Sequence, residues 1–135
     1  MEPDAALTAE LIERTPFSGT IGIQVISAQK EEVRARMPWA PERCTSFGIL
    51  HGGSIMSLAD STGAFVAMLN LPDDASGTTT IESKTNFFRA VRGGFVHATS
   101  RPLHSGRTTI VVETELRDDD DKLVAKVTQT QAVLR

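Results

Sequence analysis

A glycine-rich segment followed at short range by one acidic residue is the part of this sequence best suited to chemistry at a carbonyl group. The segment is Gly48–Gly53, and Asp60 is the only charged residue between His51 and Asn70. N–H groups at the start of a helix carry partial positive charge and can stabilise a developing oxyanion. A carboxylate can act as a nucleophile or as a general base.

The residues that follow this segment are predicted to form one long helix over 54–70, because apolar side chains recur with helical spacing. One face of this helix is apolar and comprises Ile55, Leu58, Ala59, Thr62, Phe65, Val66 and Leu69. The other face carries small residues and one carboxylate, namely Gly53, Ser57, Asp60, Ala64 and Ala67. Since a solvent-exposed face normally carries Lys, Glu and Gln, we expect a close neighbour to cover this second face. Asp60 would then lie in a tight, partly dry environment, whereas the alternative is an ordinary surface aspartate.

Composition excludes several classes of protein. The 135 residues are 40% apolar and 23% charged, which is typical of one globular domain. The net charge of −3 argues against a nucleic-acid partner. No run of about 18 apolar residues predicts a membrane span, and no apolar leader follows Met1, so a cytoplasmic location is expected. Cys44 is the only cysteine and the three histidines lack metal-ligand spacing, so neither a disulfide nor a metal site is expected.

The remaining elements predict a single antiparallel sheet. A first helix is expected over Asp4–Arg14, ended by Pro16. Two strands precede the long helix and four follow it, over Thr20–Ala28, Val33–Met37, Thr78–Phe88, Phe95–Arg101, Arg107–Leu116 and Leu123–Thr128. Short connections between the last three strands require antiparallel hairpins. We therefore expect an α+β fold in which the sheet wraps the apolar face of the helix, and a symmetric homodimer as the simplest cover for the small-residue face.

The segment Gly48–Gly53, followed by Leu58-Ala59-Asp60, resembles the hotdog-fold thioesterases of the phenylacetate-degradation and 4-hydroxybenzoyl-CoA type. The chain also resembles the later conserved segments of the same family at four places. These are Asn86-Phe87-Phe88-Arg89, Gly94, His104-Ser105-Gly106-Arg107 and Lys122-Leu123-Val124-Ala125. The resemblance covers about residues 17–134, so an N-terminal helix over 1–16 and a hotdog domain over 17–135 are expected. It implies a long central helix wrapped by an antiparallel sheet, assembly into dimers or tetramers, and hydrolysis of acyl-CoA without metal or organic cofactor.

The resemblance also implies roles for the residues of the active site. Asp60 would be the nucleophile or the general base, and the Gly52 N–H would bind the oxyanion, the two coming from different subunits. His51 would polarise or position the substrate carbonyl, although a structural histidine that hydrogen-bonds the loop is the alternative. Thr80 stands where related enzymes orient water, but strand propensity alone could explain a threonine there. Thr45 replaces the usual Asn or Gln.

Binding of the substrate is assigned to a second set of residues. Gly53 lies beside the oxyanion donor, although both glycines could simply permit a tight turn. Four basic residues near strand ends are expected to form a cluster that contacts the phosphates of CoA, namely Arg89, Arg92, His104 and Arg107. Gly106, next to Arg107, is assigned to the same binding site. Ala90 replaces a proline that is common in the family. Trp39 and Phe47 are expected to be packing residues.

Two functions remain open at this point. The first is an acyl-CoA thioesterase, with aromatic acyl groups favoured by the resemblance. The alternative is a non-catalytic module of the same fold that binds acyl-CoA. A carboxylate at position 60 favours the enzyme, because a pure binding module has no need of one there. The motifs of a hotdog dehydratase are not found.

Overall fold

A computed structural model describes residues 1–135 and shows six antiparallel strands curved around one long helix. The helices are α1 (Ala5–Arg14), α2 (Pro16–Thr20) and α3 (Gly52–Leu69). The strands are β1 (Gln24–Ala28), β2 (Val33–Pro38), β3 (Gly77–Phe87), β4 (Phe95–Ser105), β5 (Thr109–Arg117) and β6 (Leu123–Leu134). They lie in the order β1-β2-β4-β5-β6-β3, so β1 and β3 are the edges. The expected α+β architecture of a helix wrapped by an antiparallel sheet is confirmed.

The core lies between α3 and the concave face of the sheet. Alternate residues of β5, such as Ile110, Val112 and Leu116, are fully buried, as the period-2 pattern predicts. Leu58 and Val66 of α3 meet them and are equally buried. Burial of each such side chain contributes about 1.5–3 kcal/mol, so this interface accounts for much of the driving force for folding. None of the helices combines the length and the apolarity that crossing a bilayer would require.

The N-terminal region differs from the expectation of a strand over Thr20–Ala28. Residues Pro16–Thr20 form the short helix α2, and β1 begins only at Gln24. Pro16 occupies the first turn of α2, where its fixed φ and missing N–H are tolerated. The same proline therefore follows the end of α1 and begins the next helix. At the other end of the chain, β6 extends to Leu134 and is longer than expected.

The small-residue face of α3 is covered in part by the same chain, whereas a second subunit was expected as its simplest cover. Ala67 is fully buried in the core. The buried hydroxyls of Ser18 in α2 and Ser61 in α3 are 2.9 Å apart and hydrogen-bonded. The part of this face that stays open lies around Asp60, beside Met56, whose surface is 40% exposed.

Candidate active site

The start of α3 presents one N–H group that has no acceptor within the chain. His51 is the N-cap residue, and its Nδ1 accepts a hydrogen bond from the Gly53 N–H at 2.8 Å. The Ser54 N–H donates to the His51 carbonyl oxygen at 2.9 Å. Only the Gly52 N–H is left without a partner, so the positive end of the helix is directed outward through this group.

His51 is fixed by its contacts with the loop and keeps one donor free. Its backbone N–H donates to the Arg43 carbonyl oxygen at 2.9 Å. Because Nδ1 accepts from the Gly53 N–H, the proton of the neutral ring is assigned to Nε2. The ring is solvent-exposed, so the Nε2–H can donate to a ligand. The structural alternative considered for His51 is therefore present as helix capping, and it leaves the other ring nitrogen available.

The carboxylate of Asp60 is held through one of its two oxygens. Its Oδ1 accepts from the Thr80 hydroxyl at 3.3 Å and from the Gln129 Nε2 at 3.5 Å. The Thr80 hydroxyl accepts in turn from the Gln131 Nε2 at 2.7 Å. The other oxygen, Oδ2, makes no hydrogen bond within the chain. Asp60 is solvent-exposed in the single chain, so the partly dry environment that was expected for it is not present there.

Each of the two groups faces a separate pocket. The pocket beside Asp60 has a volume of about 260 Å³ and is lined by Thr15, Phe17, Met56, Ser57 and Ser61. The pocket beside Gly52 has a volume of about 400 Å³ and is mainly apolar, with walls formed by Ile49, Leu50, Ile55, Phe87, Phe88, Arg89, Ala90 and Val91. Gly52 packs closely against this second wall, since a Cβ added to it would lie 3.0 Å from Phe87 Cζ.

Gly52 and Asp60 of one chain are too far apart to act on the same carbonyl group. They are eight positions apart in one helix, and a rise of about 1.5 Å per residue separates them by about 12 Å along the axis. A donor to a carbonyl oxygen and a base or nucleophile at its carbon must each lie within about 3–3.5 Å of their targets. One chain therefore supplies two half-sites.

The basic residues expected to form one cluster lie at opposite ends of the sheet. Arg89 and Arg92 follow Phe87 at the end of β3 that is near Gly52, where Phe87 pairs with Ala125. His104, Gly106 and Arg107 lie around the β4–β5 turn, at the end where Gly77 of β3 pairs with Leu134. The expectation of a single cluster is therefore wrong within one chain, because nine residues of β3, at about 3.3 Å each, lie between Gly77 and Phe87.

Arg107 has a local partner at its end of the sheet. Its guanidinium lies 3.6 Å from Asp74, which also accepts a 2.8 Å hydrogen bond from the Arg135 side chain. That hydrogen bond lowers the pKa of Asp74. Both arginines are therefore partly neutralised by one carboxylate, and Arg107 remains largely exposed.

The loop before α3 exposes Phe47. Thr45 is exposed, and its N–H donates to the Ile49 carbonyl oxygen at 2.8 Å. Phe47 has a φ of +65° and is 93% exposed, so the expectation that it is a packing residue is wrong. Trp39 does pack against the core, and its indole N–H donates to the Gly48 carbonyl oxygen at 3.0 Å.

Sequence analysis missed Gln129 and Gln131, which approach Asp60 and Thr80 from β6. They continue the inward-facing series that begins with Ala125 and Val127. The sequence did indicate that both glutamines face inward, because they continue the alternation of buried positions along the strand. They were missed because the predicted strand ended at Thr128, before it reached them.

Comparison with known proteins identifies the family. The sequence profile of the thioesterase superfamily matches residues 47–125, which is more than half of the chain. The chain is 30% identical to a mutant of thioesterase PA1618 from Pseudomonas aeruginosa, with a TM-score of 0.88 and coverage of 99% of this chain and 96% of that structure. Thioesterase HI1161 from Haemophilus influenzae is 26% identical, with a TM-score of 0.86 and coverage of 96% and 88%.

A curated relative is similar over a shorter range. The 1,4-dihydroxy-2-naphthoyl-CoA hydrolase of Listeria monocytogenes is 29% identical over 105 residues, which cover 78% of this chain and 85% of the relative. The profile match, the shared fold and the residues at the start of α3 agree with one another. The chain therefore belongs to the thioesterase superfamily and is a thioester hydrolase of the hotdog fold.

Proposed function

We propose that this protein hydrolyses an acyl-CoA thioester, with an aromatic acyl group preferred, to the free acid and CoA. The observation that carries the proposal is the pairing of a free N–H at the start of α3 with a carboxylate on the same helix whose Oδ2 is unbonded. The name of the Listeria relative, a hydrolase of an aromatic acyl-CoA, supports the choice of acyl group.

Asp60 and Gly52 perform the chemistry in this proposal. Either Asp60 attacks the carbonyl carbon directly, or it takes a proton from a water molecule that attacks. The carbonyl oxygen becomes an oxyanion and accepts a hydrogen bond from the Gly52 N–H, while the His51 Nε2–H orients the substrate. Collapse of the tetrahedral intermediate breaks the C–S bond and releases CoA as its thiolate, which then takes up a proton. On the direct path, water hydrolyses the resulting anhydride of Asp60.

The complete site is proposed to form between two subunits, because one chain separates Gly52 from Asp60. Strand β3 is the surface that fits this role, being an edge strand of 11 residues that are mostly exposed. A long, uncovered edge is a template for pairing with another strand. Thr80 of β3 contacts Asp60, and Phe87 of β3 lies against Gly52. Antiparallel pairing of β3 with its copy therefore brings Gly52 of the partner subunit close to Asp60.

Charge favours one register for this pairing. If Ser83 lies opposite Ser83 of the partner subunit, Glu82 lies opposite the partner's Lys84, and two ion pairs form by symmetry. A shift that centred the axis on Lys84 would instead place two lysines opposite each other. The preferred register also puts the partner's Phe87 opposite Thr79, one residue from Thr80, which is the arrangement that the shared site requires.

The same symmetry suggests where CoA is bound. A twofold axis exchanges the two ends of β3, so Arg89 and Arg92 of the partner subunit lie at the same end of the combined sheet as His104, Gly106 and Arg107. These groups, with Thr45 and Gly53 near the reacting carbonyl, are the proposed substrate contacts. Guanidinium groups suit the phosphates of CoA. Assembly of dimers into tetramers is compatible with this arrangement.

A panel of acyl-CoA esters tests the activity directly. The purified protein should release free thiol, detected with a thiol-specific reagent, from phenylacetyl-, benzoyl- or hydroxybenzoyl-CoA faster than from acetyl-CoA. The physical reason is the mainly apolar lining of the pocket beside Gly52. Binding of these esters without any release of thiol would contradict the proposal and favour a non-catalytic acyl-CoA-binding module.

Cross-linking tests the interface. In a Cys44→Ser background, which removes the only natural thiol, Ser83→Cys should form a disulfide-linked dimer under mild oxidation. Opposed Cβ atoms of paired strands are about 4.5–5.5 Å apart, close to what a disulfide needs. Lys84→Cys is the matched control and should cross-link much less. A monomer by light scattering at micromolar concentration, with full activity, would overturn the shared site.

A further inference from the structure

We propose that Gln129 and Gln131 are positioning residues that hold Asp60 through Oδ1 and so assign the reaction to Oδ2. This inference rests on the proposed function, because it concerns how the carboxylate of that site is oriented. Gln129 donates to Asp60 at 3.5 Å, and Gln131 donates at 2.7 Å to Thr80, which in turn donates to Asp60 at 3.3 Å. The hydrogen bonds from Gln129 and Thr80 both end on Asp60 Oδ1, and Gln131 supports the second of them through the Thr80 hydroxyl.

The burial of the two glutamines indicates that their carboxamides serve a purpose. Gln129 is 0% exposed and Gln131 is 1% exposed, at inward positions of β6 that otherwise carry Ala125 and Val127. Burial of a carboxamide is unfavourable unless its hydrogen bonds are satisfied. The Gln129 Oε1 is buried with no hydrogen-bond partner. An apolar residue would therefore suit packing better, so packing does not explain glutamine at this position.

Gly63 provides the space that Gln129 needs. A Cβ at Gly63 would clash with Gln129 Oε1 and lie 2.7 Å from its Cδ, and the three nearest atoms are all in this carboxamide. Gly63 lies inside α3, where glycine is less favourable than alanine. The helix thus contains a destabilising residue at the point where the Gln129 side chain crosses toward Asp60.

These contacts define which oxygen of Asp60 reacts. A carboxylate only accepts hydrogen bonds, so the Gln129 Nε2–H₂ group, and not its Oε1, must face it. Donors on Oδ1 hold that oxygen against the sheet and reduce rotation of the carboxylate. Oδ2 keeps no hydrogen bond within the chain, and Asp60 lines the pocket formed with Met56 and Ser57, where a water molecule or a thioester carbonyl can approach.

The substitution Gly63→Ala tests this arrangement without altering either glutamine. The new methyl group must displace the Gln129 carboxamide, so kcat for thioester hydrolysis should fall between about tenfold and a hundredfold, the range expected for a misplaced reacting group. KM should change less than about twofold, since no substrate contact is removed. The melting temperature should be somewhat lower, because forcing a methyl group against the buried carboxamide costs more than alanine gains over glycine in a helix, so kcat is measured well below the melting transition.

A double-mutant cycle shows whether the effect passes through Gln129 and Asp60. Gln129→Ala should lower kcat by a similar factor, and Gly63→Ala should add nothing further in that background. Gly63→Ala should also add nothing to Asp60→Asn. The matched control is Ser100→Ala combined with Thr114→Val, which removes a buried hydroxyl pair 2.6 Å apart elsewhere in the sheet and should leave kcat unchanged.

The outcomes separate this inference from the proposed function. If the wild-type protein is active and Gly63→Ala retains wild-type kcat, the positioning role is wrong and the thioesterase function stands. Additive losses in the double variant would also overturn it, because independent effects do not pass through one side chain. If the wild-type protein hydrolyses no thioester on the panel, both the function and the positioning role fail. Should Gln129→Ala fail to fold, Gly63→Ala alone decides the question.

Discussion

Replacement of Asp60 by asparagine should lower thioester hydrolysis by at least about a hundredfold, the lower end of the range for loss of a positioned acid–base group. Asparagine keeps the shape of the side chain and can still accept at Oδ1 from Thr80. It has neither the negative charge needed for attack nor the basicity needed to take a proton from water. The loss should therefore appear in kcat, and it should be larger if Asp60 is the nucleophile.

Folding, assembly and affinity should survive Asp60→Asn. Asp60 is exposed in the single chain and makes no ion pair there, so its charge contributes little to the fold. Covering the charge in the dimer is unfavourable, so the variant should melt at the same or a higher temperature. Calorimetry should still detect binding of acyl-CoA. Asp119→Asn, which alters a carboxylate bonded to His97 on the outer face, is the control and should retain activity. Near wild-type turnover by Asp60→Asn would contradict the mechanism.

Periodicity was enough to predict most of the fold. Helix α3 was expected over 54–70 and spans Gly52–Leu69, because an apolar stripe of this length forms only when the chain is helical. Strands β2 and β5 alternate between buried and half-buried residues, as their sequences indicate. These elements have one apolar face each, so the local pattern and the tertiary packing favour the same conformation.

The features that were missed depend on contacts between distant parts of the chain. Helix α2 has five residues, too few for a periodic pattern, and it is stabilised by contacts such as that between Ser18 and Ser61. Gln129 acquires its role from Gly63, which lies 66 positions earlier and on another element. Alternation could have shown that Gln129 and Gln131 face inward, but propensity and spacing contain no information about which distant residues they contact, so the supporting contacts of Asp60 could not be predicted.

In the candidate site too, residues close in sequence could be predicted together, whereas contacts between distant residues could not. His51, Gly52 and Asp60 could be proposed together because they share one continuous segment, whose spacing the sequence displays directly. The basic residues were expected to cluster because all of them follow or precede strands. A strand has two ends, and Arg89 and Arg107 lie at opposite ones. Only the topology of the sheet, together with the symmetry of a proposed dimer, can decide which strand ends meet.

The role proposed for Gly52 predicts a second large effect, for the substitution Gly52→Pro. Proline has no N–H, so the variant deletes the one free donor at the start of α3 and should lower kcat by about 10²–10³, the loss seen when one oxyanion donor is removed. The helix should tolerate the change, because Gly52 is its first residue and proline is favoured there. His51 already has φ −63° and ψ 136°, which is the conformation preferred before proline.

Gly52→Ala is the matched control, because it adds a Cβ and keeps the N–H. In both variants the new Cβ would lie 3.0 Å from Phe87 Cζ, so both require the same small movement of that ring. The ratio of kcat between the alanine and proline variants therefore measures the replacement of the N–H group by the carbon atoms of the proline ring, once circular dichroism and melting temperature show that both are folded. Equal kcat values would mean that the oxyanion is stabilised elsewhere, and His51 Nε2–H would then be the remaining donor at this helix start. A large deficit confined to the proline variant, with KM little changed, is the expected result, because the N–H strengthens its contact only as negative charge develops on the thioester oxygen.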